Sequence, residues 1–470
     1  MGNVATTKEI NNAKFIGREM ILTDVETITD KNVCDVLKKA LITHETNRYQ
    51  IDYLYKYYKG DQPILKRTKE IREEINNKIV ENRANEIVSF KTGYIIGQPI
   101  QYVSKGNDKD NNKELDTLNE FLDEQNKSTK DKKLVDWMHI CGTAFRMVLP
   151  NKNDSKNSEE APFKIYKLDP RYSFVVYYNG LGEEPLMGVK YVTKENGDVI
   201  YSVYTDKTYF EIKNGKIIKE EAHTIGYIPI IEYPLNEARL GAFEIVLPML
   251  DAINLVDSNR LDGIEQFVQA LMMFKGVDID GEDFKKLKDL GGIKVPPDGD
   301  VKYLIQELNQ SETQTLKKDM YDTVLTICGM PNRNGGSSTS DTGSAVIMRD
   351  GWSSAEARAQ DTEEMFKESE KKFIKIILNI TNTLRDLSLK AKNLDIRFTR
   401  RNYENIQGKA QVLTTMLAND KIDPKLAFEH CGMFTDPNLA YEQSMKHYNE
   451  VLAQQKENLK KAISGNGGDE

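Results

Sequence analysis

The sequence predicts an α+β protein, mainly α, and three observations carry that expectation. Apolar residues repeat at helical spacing from Asn32 to Leu149. Short β-branched and aromatic runs, with Asn-Gly dipeptides between or beside them, then fill residues 163–235. After Pro234 the helical spacing returns, interrupted by one small insert and one late strand.

Residues 1–30 are polar and lack a period, as a flexible or docking arm does. The first helix carries Cys34, Val36, Leu37, Ala40, Leu41 and His44 at helical spacing. An aromatic helix, Tyr49-Gln-Ile-Asp-Tyr-Leu-Tyr-Lys-Tyr-Tyr58, then ends at Lys59-Gly60, with Pro63 as a downstream stop. A polar helix containing Asn76-Asn77 and an amphipathic helix over roughly Ile79 to Tyr94 are expected next. The Gly97-Gln-Pro99-Ile-Gln-Tyr102 run must be extended or turned, because proline restricts the residue before it. Leu115, Leu118, Phe121 and Leu122 mark another helix. Leu134, Trp137, Met138, Cys141 and Ala144 mark a buried one.

Phe163–Leu168, Ser173–Tyr178, Met187–Val192, Val199–Tyr204 and Tyr209–Ile212 read as strands. Asn179-Gly180, Asn196-Gly197 and Asn214-Gly215 read as hairpin turns, each glycine needing a positive φ. An antiparallel meander or small barrel over 163–235 follows. Leu250, Ile253, Leu261, Ile264, Val268 and Leu271 then lie near one helical stripe that Asp257 interrupts. The insert reads as strand, small helix and strand, punctuated by Gly291-Gly292 and Pro296-Pro297. Ser311-Glu-Thr-Gln314 has the capping-box pattern for the next helix, which ends near Gly329-Met-Pro331. Asn332–Ser344 is a flexible loop by composition. Ser353-Ser354-Ala-Glu356 caps a long helix with Phe366, Phe373, Ile380 and Leu387 at sevens and Ile376, Ile377 and Leu384 beside them. Asp395-Ile-Arg-Phe-Thr is one strand. Asp423-Pro424 and Asp436-Pro437 each open a helix, and residues 464–470 form a disordered tail.

Composition sets the outer bounds. At 470 residues there is room for about three domains. The 39% hydrophobic content and mean hydropathy of −0.57 suit an elongated subunit with much polar surface. A net charge of −8 argues against a chain that grips nucleic acid along its length, but an acidic passage would keep DNA from sticking. Cys34, Cys141, Cys328 and Cys431 are too scattered for a disulfide framework or a zinc knuckle. The polar start, and the lack of any apolar run near the roughly 18 residues that span a bilayer, point to a soluble chain without membrane contact. The Met1-Gly2-Asn3-Val4-Ala5-Thr6 match to the myristoylation pattern lacks a second anchor and is read as chance.

Catalytic motifs are not legible. No Walker A occurs, and Gly335-Gly336-Ser337-Ser338, with no adjoining lysine, reads as a linker. Asp108-Lys-Asp110-Asn-Asn112 has Lys113 where a calcium loop needs glycine and Asn119 where it needs glutamate. Asp278-Ile-Asp280-Gly281-Glu282-Asp283 reads first as a solvated acidic loop, and second as a divalent-ion chelate. His44, His139, His223, His430 and His447 show no ligand spacing, and His139 beside Trp137 and Cys141 reads as a core histidine. Lys285-Lys286-Lys288 and Arg400-Arg401 are too sparse for a nucleic-acid groove and read as exposed helix faces. No catalytic residue, cofactor or metal is expected.

The order of tyrosine-rich helix, Tyr57-Tyr58-Lys-Gly60, Pro63-Ile-Leu, Asn76-Asn77-Lys, helix and Gly93-Tyr-Ile-Ile-Gly97-Gln-Pro99-Ile resembles the opening of portal proteins of tailed bacteriophages. The branch it looks like is that of long-tailed phages of Gram-positive hosts. Two helices flanking an α/β insert are similar to that family's stem–clip–stem order. Thr342-Gly343-Ser344-Ala345-Val346-Ile347 resembles its signature before the tunnel-facing segment. The resemblance spans roughly Asn32 to Lys460 and implies a layout. After the 1–30 arm come a wing over 31–240 (helical 31–150, β-rich 163–235), stem helices at 241–271 and 311–331 and a clip at 272–310. A tunnel segment at 332–356, a long helix and return strand at 357–402 and a crown at 403–463 follow.

It also implies a ring, by likeness a dodecamer, at one capsid vertex of the virion, soluble in the host cytoplasm before assembly. Double-stranded DNA would pass through it. The implied partners are the terminase large subunit, head-completion adaptors, and the major capsid and scaffolding proteins. Ser344, Arg349, Asp350 and Trp352 would lie along the tunnel, Arg349 touching phosphates while Asp350 limits the attraction. An ordinary inter-helix loop with Trp352 packed into the neighbouring subunit is an equal reading. Phe284, Lys285, Lys286 and Lys288 would sit on the clip face toward terminase. Two other classes stay open: a divalent-metal nuclease using Asp278–Asp283, and a helical scaffold or adaptor. Particle size and metal-dependent DNA cleavage separate them.

Overall fold

The computed structural model describes residues 17–105, 109–151, 160–268, 271–275, 297–304, 310–332, 351–385, 387–399, 406–434 and 437–465. Helices and small sheets alternate in an α+β, mainly α arrangement. The expected free arm over residues 1–30 is corrected from Gly17 onward. The Arg18 guanidinium is buried in an ion pair with Glu244, whose other oxygen accepts from Gly241 N at 2.9 Å. Strand β1 (Ile21–Thr23) then pairs in parallel with a later strand. Buried charge has to be paired, and Glu244 is what fixes the chain start.

Helix α1 (Val33–Tyr58) serves two cores. Val33, Val36, Leu37 and Ala40 pack on the largest sheet, while Ile51, Leu54 and Tyr57 enter the helical core. It ends at Lys59 with Gly60 at φ +99°, a backbone setting that favours glycine. No helix forms around Asn76-Asn77, and helix α2 (Arg83–Ile95) starts four residues later than Ile79. Strand β2 (Gln101–Ser104), α3 (Lys109–Glu124) and α4 (Lys127–Cys141) follow. Lys109 to Asn112, part of the discounted calcium-loop run, lies within α3.

The helical reading through Leu149 is also corrected. Gly142, at φ +78°, closes α4, and β3 (Thr143–Pro150) is a strand buried on both faces. A short apolar run of that kind cannot be told from a buried helix by periodicity.

β4 (Phe163–Leu168), β5 (Ser173–Tyr178), β6 (Pro185–Thr193), β7 (Val199–Tyr204), β8 (Thr208–Lys213), β9 (Lys216–Ala222) and β10 (Ile230–Pro234) come next. They form two sheets and not one meander or barrel: β1-β5-β6-β7-β8-β9 and β10-β3-β4. The Asn214-Gly215 turn has both residues at positive φ, as a two-residue hairpin of this twist needs. Gly197, at φ +82°, closes a longer loop. Gly180 is not left-handed. A Cβ there would meet the Tyr178 ring at 2.1 Å, so space and not φ is its constraint.

α5 (Leu247–Val268) leads into β11 (Leu271–Lys275), which pairs antiparallel with β12 (Asp300–Leu304). The small helix expected between them lies outside the described residues. α6 (Gln310–Cys328) begins before Ser311, whose carbonyl already accepts from the Thr315 hydroxyl at 2.9 Å, so Ser311 is helical and not a cap. α7 (Trp352–Arg385) likewise begins before Ser353, with the Gly351 carbonyl accepting from Ala355 N at 3.2 Å. Leu387 lies past its end. β13 (Leu394–Arg397) pairs with β2. α8 (Ile406–Leu417), α9 (Pro424–His430) and α10 (Pro437–Gly465) complete the chain. The Asp423 side chain accepts from Lys425 N at 2.8 Å and caps α9; Asp436 lies outside the described residues.

At the centre of the helical core sits a buried ionic cluster. Glu370 of α7 meets Lys127 Nζ at 2.9 Å, Arg146 Nη1 at 2.9 Å and the Tyr233 hydroxyl at 2.6 Å, and also accepts from the Tyr102 hydroxyl. Asp131 closes the ring by pairing with Lys127 at 2.6 Å and with Arg146. Two cations balance two anions. Burial works against the Glu370 charge, but Lys127 and Arg146 hold its carboxyl well below the usual range. Removing one member strands the others, so Arg146→Met should cost about 3–5 kcal/mol in chemical denaturation.

Two buried histidines add a pH dependence. Burial lowers His44 to about 4 and His139 to about 3, and the Thr92 hydroxyl sits 3.1 Å from His139 Nδ1. Unfolded histidine takes up its proton near pH 6.5, so the unfolded chain binds more protons as pH falls, and stability drops from about 6.5 down to the folded values. His139→Gln should flatten the denaturation-free-energy slope between pH 6 and 4 by about 1.4 kcal/mol per pH unit. An unchanged slope in urea titrations would place the proton uptake elsewhere.

Candidate functional site

The helix pair α5 and α6 carries the β11–β12 insert at one end. At its other end α6 runs toward residues 333–350, after which α7 begins. The chemistry that holds this region lies on α5. Of its expected stripe, Leu250 and Ile253 enter the core, but further along Ile264 is 41% exposed, and Asn254, Ser258 and Asp262 are buried instead. These three, spaced by four, take up the backbone of the segment before α2. Asn254 Oδ1 accepts from Glu81 N at 2.8 Å, and Ser258 Oγ accepts from Ile79 N at 3.0 Å. Asp262 Oδ1 accepts from Asn77 N at 2.7 Å. Asp262 also holds Arg67 at 3.0 Å and Lys69 at 2.5 Å. The N–H groups at residues 77, 79 and 81 are therefore committed to α5, which is why residues 76–82 do not coil.

α2 then bridges two regions. At its start Lys317 of α6 bonds Glu81 Oε2 at 2.7 Å and Asp257 Oδ2 at 2.9 Å. Burial opposes the Glu81 charge, but hydrogen bonds from Asp257 and Lys317, and the Arg83 charge, hold it low. Burial, and then Glu81, push Asp257 up. The pair thus favours one negative charge beside the ammonium. Arg83 stacks 3.9 Å over the Tyr321 ring, and the Tyr321 hydroxyl reaches Glu86 at 3.0 Å. At the other end of α2, Phe90 and Tyr94 lie 6.1 Å from the Trp352 ring, and the Tyr94 hydroxyl donates to Glu356 at 2.9 Å. One helix of 13 residues, about 20 Å long, joins the α5–α6 pair to the start of α7.

Of the residues singled out from the sequence, Trp352 is described, and it packs on Phe90 and Tyr94 of its own chain. Ser344, Arg349, Asp350, Phe284, Lys285, Lys286 and Lys288 lie outside the described residues, as does Asp278–Asp283. Among the described residues no group of three or more His, Cys, Asp or Glu could hold a metal, and no helix is long and apolar enough to cross a membrane. Sequence reasoning missed Glu81, Asp257, Asp262 and Lys317. The polar Asn254-Ser258-Asp262 spacing has no reading from the sequence alone, because it looks like a solvent face beside the apolar stripe. Lys317→Met leaves two part-buried carboxylates without a shared cation. It should cost about 1–3 kcal/mol by denaturation midpoint, and Glu81→Gln on top of it should recover part of that.

A profile of the family described as "Phage portal protein, SPP1 Gp6-like" matches residues 37–465. No curated protein matches the chain. A chain from a solved structure described as "Neck of empty GTA particle computed with C6 symmetry" aligns with a TM-score of 0.44 at 10% identity. The alignment covers 75% of this chain and 90% of that one, and no argument rests on a likeness of that size. The profile extends from the second turn of α1 to the end of α10 and so takes in most of both cores, the ionic cluster and the α5–α6 pair: the chain belongs to the SPP1 Gp6-like phage portal protein family.

Proposed function

We propose that the chain is a structural, non-enzymatic subunit of a closed ring, by family likeness a dodecamer, set at one vertex of a phage head. Double-stranded DNA enters and leaves through its channel. The observation that carries this reading is the family match over residues 37–465. The paired strands β11 and β12 between α5 and α6 support α5 and α6 as the stem and the insert as the clip. The terminase large subunit and, later, the head-completion adaptors would dock at that clip, with Phe284, Lys285, Lys286 and Lys288 on its outer face. Residues 332–356, with Ser344, Arg349, Asp350 and Trp352, would form the adjustable constriction. Major capsid and scaffolding proteins would meet the outer body. An acidic net charge of −8 keeps phosphate from adhering during passage.

Negative-stain images and native mass of the purified chain test the ring directly. A monomer that cleaves DNA with a divalent metal would favour the nuclease reading instead. The insert has its own test. Lys275 and Asp300 are paired across β11 and β12, so residues 276–299 can be replaced by an Asn-Gly turn. The shortened chain should still form rings but lose terminase binding in pull-down. Retained binding would move the docking surface off the insert.

A further inference from the structure

The backbone is clamped on both sides of Arg18. Gly17, at φ +95°, lies so close to Ala238 that a Cβ there would meet its carbonyl oxygen at 1.8 Å. Glu19 exchanges two hydrogen bonds with Asn47 of α1: its N–H donates to Oδ1 at 3.0 Å, and its carbonyl accepts from Nδ2 at 2.8 Å. The Arg18 side chain is thus held inside, with 4% of the residue exposed. Its Nη2 pairs with Glu244, but Nε and Nη1 have no hydrogen-bond partner among the described residues. Ser173 of β5 is 1% exposed, and its Oγ has none either. Buried polar atoms are seldom left unmet, so these need a partner.

Both residues line one small cavity beside the chain start, where α1 passes from the sheet core to the helical core. Its volume is about 20 Å³, and a single water needs roughly 10–15 Å³. The side-chain acceptors on its wall are already committed. Glu232 takes bonds from Arg239 Nε at 2.7 Å, the Thr143 hydroxyl at 2.8 Å and the Tyr177 hydroxyl at 2.7 Å. Asn47 Oδ1 is taken by Glu19. The charges are matched as well, because Arg18 has Glu244 and Arg239 has Glu232. What fits is a small neutral molecule that can accept on one side and donate on the other.

We propose that this cavity binds one ordered water, which accepts a hydrogen bond from the Arg18 guanidinium and donates one to Ser173 Oγ. The water is a structural ligand. Strand β1 follows directly after Arg18-Glu19-Met20 and pairs with β5, so the bridge joins the same two segments a second time. A bridging water of this kind is nearly as good as a direct hydrogen bond. An anion would bring negative charge that nothing in the site balances, and a metal ion would face two guanidinium groups. The bridge lies within one subunit and does not depend on the ring reading.

The direct test is a crystal structure of the full-length chain at a resolution that shows ordered water, from crystals grown in chloride and again in bromide. One density peak within about 3 Å of both the Arg18 guanidinium and Ser173 Oγ is expected in each, without a bromide anomalous signal. No peak, or a bromide peak, would overturn the proposal. Thermal melting gives a second reading. Ser173→Ala leaves room for the water on Arg18, whereas Ser173→Val fills the site. Valine suits a strand better than alanine, so in a dry cavity the valine variant would melt higher. With a water bound there, it should melt roughly 1–3 °C below the alanine variant, because Arg18 loses the partner of its free N–H groups. A valine variant that melts at or above the alanine one would overturn the proposal too.

Discussion

Neutralising charge inside the helical core is the constraint from which the rest of the arrangement follows. Glu370 belongs to α7, Lys127 and Asp131 to α4, and Arg146 to β3, while the Tyr102 and Tyr233 hydroxyls come from β2 and β10. Five elements must therefore reach their places together, because any one that lags leaves a desolvated charge without its counterpart. The aromatic faces around the cluster fit the same logic. Arg146 lies over the Tyr233 and Phe373 rings and Lys127 over Tyr102 and Phe373, so the cations meet electron-rich faces wherever they do not meet carboxylate. Such a centre specifies one packing arrangement more sharply than an equal volume of leucine. For this protein it locks the long helix against the three-stranded sheet.

α5 shows a second use of buried polarity. Its Asn254, Ser258 and Asp262 side chains stand in for the hydrogen bonds that residues 77–81 would otherwise make within a helix. The segment is held straight, α2 begins where that tether ends, and the aromatic end of α2 is delivered to Trp352. The path from the α5–α6 pair to the start of α7 is thus made of directional bonds at one end and ring contacts at the other. The first kind fixes position closely; the second tolerates sliding.

Much of this was legible in the sequence, and the misses have a common cause. The strands from Phe163 to Ile212, the Gly60 stop, the Asp423 cap and the apolar face of α7 all follow local rules, and local rules are what a sequence displays. β3 was misread because Ala144, Phe145, Met147 and Val148 are covered on both faces, which erases the alternation that marks a strand. The helix expected at Asn76-Asn77 was overridden by residues nearly 180 positions later. The polar face of α5 was unreadable for a related reason: Asn, Ser and Asp at spacing four look like a solvent face until the segment that covers them is known. The portal resemblance rested on element order and on the tyrosine-rich opening, both of which survive such local errors. Of the tunnel and clip residues it singled out, only Trp352 falls where the structure speaks.

The ionic centre also bears on how the chain is made. Glu370 follows Lys127 by more than two hundred residues, and Glu244 follows Arg18 by a similar span. A ribosome adding about 5–20 residues per second needs roughly 10–50 s to bring the later partner out after the earlier one. Through that interval Lys127, Asp131 and Arg146 of α4 and β3 carry one positive charge in excess, and Arg18 has no Glu244 to pair with. Long-range closure of this kind is slow and leaves strand edges uncovered. The helical core can therefore close only once α7 has been made, after most of the chain has left the ribosome.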